Sequence, residues 1–280
     1  MSTASGLPAT DLPPPEVHPS AIVEAGATLA PGVRIGPGCL IESGASIGPG
    51  TVLGARVVVH SGVRIGARNR IFAHAVLGGE AQVLGLASDF ESFVEIGDDN
   101  VLREAVTVHR GIRAGSVTRI GDSNYLMVNT HVAHDGQLGN HIVMANNSSL
   151  AGHVTLEDRV FISGQVAVHQ FTRVGRLAML AGLAKVVQDC LPFIVTDGNP
   201  ARARGLNVVG LRRAGFAAET IRALRRAYRG LLRSGLPLEQ SLAVLEADEE
   251  ATVREIAAFI RGSRRGFAHE PKRERAADEA

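Results

Sequence analysis

From Val23 onward an aliphatic residue recurs at every sixth position: Val23, Leu29, Ile35, Ile41, Ile47, Leu53, Val59, Ile65, Ile71 and Leu77. The step resumes at Ile96, Leu102 and Val108. It resumes again at Ile120 and runs through Leu126, Val132, Leu138, Met144, Leu150, Leu156, Ile162, Val168, Val174 and Leu180 to Val186. The position four after each aliphatic is mostly small or β-branched, as at Ala27, Val33, Cys39, Ala45, Thr51, Val57 and Val63. A period of six matches neither the 3.6 of an α-helix nor the alternation of a simple strand. It matches a short extended segment followed by a corner, and three such segments close one triangular coil of about 18 residues. The aliphatics then stack inside the prism, and glycines such as Gly36, Gly38, Gly48 and Gly50 serve its corners. The expectation is an all-β solenoid, a parallel β-helix of hexapeptide repeats, over residues 17–190.

Two gaps break the register, at 79–95 and at 110–119, and these are expected as external loops. Residues 1–16 hold Pro8, Pro13, Pro14 and Pro15 and are expected as a disordered leader. After Val186 the repeat ends, and Pro192 and Pro200 punctuate a connector. Beyond about Leu206 the period becomes helical: Ile221, Leu224, Tyr228, Leu231 and Leu232 share one face. Ser234-Gly235-Leu236-Pro237 ends that helix, and two shorter ones are expected through about Ile260. Residues 191–280 are thus expected as a C-terminal α-helical domain covering the open end of the solenoid, with a frayed tail after Phe267.

Composition narrows the function. A net charge of +1 offers no global field for nucleic acid, and 4% aromatics with no Trp offers no base-stacking platform. Two cysteines, Cys39 and Cys190, make no disulfide framework and suggest a reducing compartment. No apolar run approaches the roughly 18 residues of a membrane span, and no signal peptide opens the chain, so a cytoplasmic protein is expected.

The chemistry is carried by histidine. His74, His109, His131, His134, His141, His153 and His169 all lie within or beside the second repeat block. One such residue alone is most simply a surface or corner residue. His134 differs, because Asp135 follows it directly and His153 comes 19 residues later, about one coil away. Imidazoles gathered on one face supply a neutral base near pH 7.

In order along the chain stand His109-Arg110-Gly111, His131-Val132-Ala133-His134-Asp135, Asn146-Asn147, Ala151-Gly152-His153-Val154, Ala167-Val168-His169-Gln170-Phe171, Gly198-Asn199-Pro200-Ala201 and Gly210-Leu211-Arg212-Arg213. From Val17 to Gly266 the sequence resembles the UDP-N-acetylglucosamine O-acyltransferases of lipid A biosynthesis. The resemblance implies a left-handed β-helix, assembled as a homotrimer with active sites between subunits. It implies transfer of a 3-hydroxyacyl chain from acyl carrier protein to the sugar 3-hydroxyl, without cofactor, metal or covalent intermediate. His134 matches the general base, Asp135 the group that orients it, and the Gly152 backbone N–H the oxyanion donor. His109, His131, His153 and Gln170 match sugar and donor contacts. Asn207 and Arg213 match contacts to the nucleotide and donor end, and Gly182 matches the ruler of acyl length.

Two features depart from the family pattern. The family usually carries an Asp and a Lys in the first external loop, but no Lys or Arg occurs from Ile71 to Leu102, and the loop carries Glu80, Asp89 and Glu91 instead; Ala214 stands where a third basic residue often follows the Arg pair. An acidic loop would suit a 3-amino sugar, so N-acylation of such an analogue or of another nucleotide sugar is the alternative. A metal-dependent β-helix enzyme holding Zn²⁺ on three imidazoles and a non-catalytic solenoid are further alternatives. Outward apolar residues, with Val128 and Ile142 read as examples, suggest that some outer faces are covered by other subunits.

Overall fold

The computed structural model describes residues 12–86 and 90–269. Most of the expected leader and tail, and Ser88 and Asp89 of the first loop, lie outside the described residues. Short strands, most of two residues, pair in parallel with the third strand on, giving sheets of eleven, nine and eight strands. This is the left-handed parallel β-helix. Its registers are the hexapeptide step taken three times: Val132 lies opposite Leu150, Leu150 opposite Val168 and Val168 opposite Val186. Stacked in this way, the aliphatics from Ile35 to Val186 form one continuous core.

Each repeat sends a second residue inward, four positions after the aliphatic. One such column carries Thr51, Asn69, Asn100 and Asn124, all buried. A buried amide must be hydrogen-bonded, and here each serves the next coil. Asn100 N–H donates to Asn69 Oδ1 at 2.9 Å, Asn124 N–H to Asn100 Oδ1 at 2.9 Å, and Ile142 N–H to Asn124 Oδ1 at 2.7 Å. Ile142 is therefore fully buried at the top of this ladder, contrary to the outward placement expected for it. It stands four after Leu138, so its side chain belongs to the inward column. Val128 is 37% exposed, as expected of an outward residue.

Both loops are shorter than the register gaps. Phe93–Ile96 pairs along its full length with Val117–Ile120, which leaves 80–86, 90–92 and 110–116 outside the strands among the described residues. The connector also differs from expectation. Ile194–Gly198 extends the eleven-stranded sheet, and Ala201–Leu206 folds back on it as an antiparallel hairpin. Four helices follow: α1 (Val208–Arg213), α2 (Ala218–Arg233), α3 (Leu238–Glu246) and α4 (Ala251–Arg261). Ile221, Leu224, Ala227 and Tyr228 of α2 pack with Val253, Ile256 and Phe259 of α4 over Leu177, Leu191 and Phe193, forming a second core at the C-terminal end of the prism. Arg176 fastens this end by donating from Nε and Nη2 to the two oxygens of Glu255 at 3.0 and 2.7 Å.

Candidate active site

The nine-stranded sheet sets Thr107–His109, His131–Val132, Ser149–Leu150 and Ala167–Val168 side by side. At the corner after each of the last three strands the chain takes a left-handed residue: Asp135 (φ 57°), His153 (φ 59°) and Phe171 (φ 63°). Asp and His tolerate that region better than most residues with a Cβ. The corners stack directly, because His153 N–H donates to His134 C=O and Phe171 N–H to Gly152 C=O, both at 3.0 Å. Two columns result: His134, Gly152 and Gln170 in one, and Asp135, His153 and Phe171 in the other.

His134 Nδ1 lies 2.9 Å from Asp135 Oδ2, and both side chains are nearly buried, at 12% and 11% exposed. A carboxylate can only accept, so Nδ1 carries the proton and Nε2 keeps its lone pair. The imidazole lies against Gly152: a Cβ there would overlap the His134 ring. The Gly152 Cα therefore sits beside the His134 ring. His153 stands edge-on to His134 with ring centroids 5.1 Å apart, its Nε2 3.8 Å from Asp135 Oδ2. Its far side is stacked on Phe171 at 4.6 Å. His109 and His131 form a second edge-on pair at 4.8 Å, and His131 Nδ1 lies 2.8 Å from Thr107 Oγ1.

Three of these imidazoles, His109, His131 and His153, are shifted toward the neutral form. Burial, with help from neighbouring histidines, pushes His109 from 6.5 down to about 4. Burial and His134 lower His131 as well, and burial lowers His153 against the opposing pull of Asp135. For Asp135, burial raises the carboxyl, but hydrogen bonds from His134, Ser116 and the Ile112 N–H outweigh it and leave the group below its ordinary value. The ligand atoms of His134, Asp135 and His153 lie within 4.8 Å of one another, a spacing that a divalent ion could also use.

Several contributors to this corner escape sequence reasoning. Thr118, fully buried, accepts the Asp135 N–H at 2.7 Å, and Ile112 N–H donates to Asp135 Oδ2 at 3.2 Å. Phe171 stands 18 residues after His153 in the same column, so counting one full coil would have found it. Three expected site residues lie away from the corner. Asn207 caps α1, accepting from Gly210 N–H at 3.0 Å and donating to Leu177 C=O at 2.9 Å. Arg213 is exposed in the last turn of α1. Gly182 belongs to a different corner, with Gly164 C=O 3.6 Å from where its Cβ would stand. Glu80, on which the 3-amino reading leans, pairs with Arg110 at 3.2 Å.

A hexapeptide β-helix whose outer corner holds a carboxylate-bound histidine against a glycine has the architecture of a hexapeptide-repeat transferase. The particular family follows from likeness to known proteins. Residues 189–268 match the family model described as UDP N-acetylglucosamine O-acyltransferase, domain 2. The acyl-[acyl-carrier-protein]–UDP-N-acetylglucosamine O-acyltransferases of Janthinobacterium sp. (strain Marseille) and Burkholderia orbicola (strain MC0-3) are 44% and 45% identical over 257 residues, covering 90% of this chain and 98% of theirs. The UDP-N-acetylglucosamine acyltransferase structure from Francisella novicida superposes with a TM-score of 0.88 at 34% identity, covering 91% of this chain and 95% of that one. That from Bacteroides fragilis gives 0.88 at 37%, covering 90% and 99%. The chain belongs to the UDP-N-acetylglucosamine O-acyltransferase family.

Proposed function

We propose that the chain transfers a 3-hydroxyacyl group from acyl carrier protein to the 3-hydroxyl of UDP-N-acetylglucosamine, the first step of lipid A biosynthesis, with His134 as general base. The observation that carries this role is the 2.9 Å bond from His134 Nδ1 to Asp135, which leaves Nε2 as a free base over Gly152. The sugar 3-hydroxyl gives its proton to Nε2 as its oxygen attacks the thioester carbonyl carbon. The oxyanion that forms is met by the Gly152 N–H. Collapse breaks the C–S bond, and the imidazolium returns its proton to the departing thiolate. Each atom is accounted for without a covalent enzyme intermediate.

His109, His131, His153 and Gln170 serve as contacts to sugar and donor. Neutral imidazoles suit this, since they offer one donor and one acceptor each. The Nδ1 of His109 is buried without a hydrogen-bond partner among the described residues, and a substrate hydroxyl would satisfy it. Arg213 and Asn207 mark the nucleotide and donor end. With Glu80 engaged by Arg110, one of the loop acids that would favour a 3-amino sugar is already paired, and the ordinary hydroxyl sugar is the acceptor proposed.

The outer faces support a homotrimer. The eleven-stranded face presents Val52, Val101, Tyr125, Val143, Phe161 and Met179, with Arg34 and Arg70 among its earlier strands. The eight-stranded face presents a charged chain instead, Arg64 and Arg119 each 3.0 Å from Glu95. A cytoplasmic setting accords with the carrier-protein donor, and no helix among the described residues is long and apolar enough to cross a membrane. The direct test is mass spectrometry of products from purified protein, 3-hydroxyacyl carrier protein and UDP-N-acetylglucosamine in buffer containing EDTA. A 3-O-acylated sugar nucleotide is expected. Acylation of only an amino sugar, or activity lost to EDTA and restored by zinc, would refute the reading.

A further inference from the structure

We propose that Ser116, in the second external loop, is a positioning residue that fixes the Asp135 carboxylate and through it the aim of His134. The inference rests on His134 being the base.

Asp135 has two carboxylate oxygens, and Oδ2 is the one engaged by His134 of the corner and by Ile112 of the second loop. It holds His134 Nδ1 at 2.9 Å and the Ile112 N–H at 3.2 Å. Oδ1 faces the hollow over Gly111. A Cβ built on Gly111 would overlap Ser116 Oγ and stand 2.9 Å from Asp135 Oδ1, so both oxygens border the space that this glycine leaves. Ser116 Oγ accepts the Arg113 N–H at 3.1 Å. With that lone pair used, the hydroxyl proton is free to donate, and the carboxylate beside it is the natural acceptor. The contribution of this serine to keeping Asp135 ionised agrees with that direction.

The serine is itself held on every side. Its C=O accepts from Phe93 N–H and its N–H donates to Arg113 C=O, both at 2.9 Å. Gly115 N–H donates to Glu91 C=O at 2.8 Å. Ser92, 2% exposed, donates from Oγ to Gly111 C=O at 2.7 Å. The root of the first loop thus clamps the second loop, and the second loop clamps the carboxylate.

The terminal torsion of an Asp side chain is broad. With Ser116 donating to Oδ1 as proposed, a donor on each oxygen would fix its plane, and hence the direction of His134 Nε2. Losing the Ser116 hydroxyl has two effects. The carboxylate gains freedom about that torsion, so the base is aimed correctly for less of the time. Its charge is also less shared, so it stabilises the His134 imidazolium more strongly and raises the pH needed to free the base.

The test is steady-state kinetics against pH for Ser116→Ala, Ser116→Thr and, in parallel, His134→Ala. For Ser116→Ala we expect kcat down about tenfold, the worth of one such hydrogen bond. The sugar KM should stay unchanged, the acid limb of kcat/KM should move to higher pH, and the thermal midpoint should hold. Ser116→Thr keeps the hydroxyl and should restore both the rate and the limb. If His134→Ala is inactive while Ser116→Ala keeps wild-type kcat and an unmoved limb, the positioning role is overturned and the base assignment stands. If His134→Ala is active, the underlying reading falls first. A Ser116→Ala loss that follows a lowered thermal midpoint with the limb unmoved would mean a merely structural serine, and also overturns the proposal.

Discussion

At the scale of the residue, the corner proposed as catalytic depends on what is missing from Gly152. The atoms nearest to where its Cβ would stand all belong to the His134 ring, and its φ is not in the left-handed region. Alanine is therefore acceptable to the backbone and unacceptable only to the base. Gly152→Ala should lower kcat at least about tenfold while the thermal midpoint holds, and His134→Ala should lower it by ~10²–10⁴, the usual worth of a positioned base. Normal turnover in either variant, measured per folded molecule, would count against the assignment. The cluster also has a pH signature in stability. The unfolded chain protonates a histidine near 6.5, whereas folded His109 stays neutral to about 4 and folded His131 and His153 are lowered too. Between those values the unfolded state binds more protons, so stability falls as pH drops through that window. Thermal melts from pH 7 to 5 should show a falling midpoint, and His109→Gln should flatten the fall; an unaltered slope in that variant would exclude His109 as a source.

At the scale of the element, one coil is the unit of position, and a step of 18 carries a residue to the same place one layer on. Gly182 shows what this does for specificity. Its corner column also holds Gly164, and a Cβ there would meet only ordinary contacts, Gly164 C=O at 3.6 Å and Ser163 Cβ at 3.9 Å. Gly182→Met should fold normally, fill the groove and shift preference toward shorter acyl donors, since a steric clash outweighs the ~0.8 kcal/mol gained per buried methylene. Competition between carrier-protein thioesters of different length measures it, and an unmoved profile would remove Gly182 from the ruler role. The same periodicity explains which parts of the molecule were readable in advance. The stacked aliphatics announce themselves because burial demands the same residue type at every turn. The Asn69–Asn100–Asn124 ladder was hidden because those positions alternate between polar and apolar solutions to one geometric demand, and Ile142 was misplaced for the same reason. The Ile194–Gly198 hairpin was hidden by Pro192 and Pro200. The roles of Ile112, Ser116 and Thr118 arise from loops with no period, so only coordinates bring them to Asp135.

At the scale of the whole molecule, the three outer faces differ in kind, and that difference predicts assembly. Light scattering should give about three times 29.4 kDa. Phe161→Arg, on the apolar face and 38% exposed, should yield a smaller species with reduced activity; a fully active monomer would rule out shared sites. The two ends of the prism differ as well. At the C-terminal end the hairpin and helices seal the core, whereas in the first coil Val17 is 40% and Ile22 61% exposed, with Val23 and Leu29 only half-buried. A solenoid whose layers touch only their neighbours comes apart from its weaker end. Unfolding therefore has a direction in time, beginning in the first coils and reaching the layers of His134, Gly152 and Gln170 late. Hydrogen exchange should register this as a gradient, with protection lost first over 16–30 and last over 130–170. Gentle heating would then fray the molecule many coils away from its chemistry, and catalysis would outlast the first loss of structure.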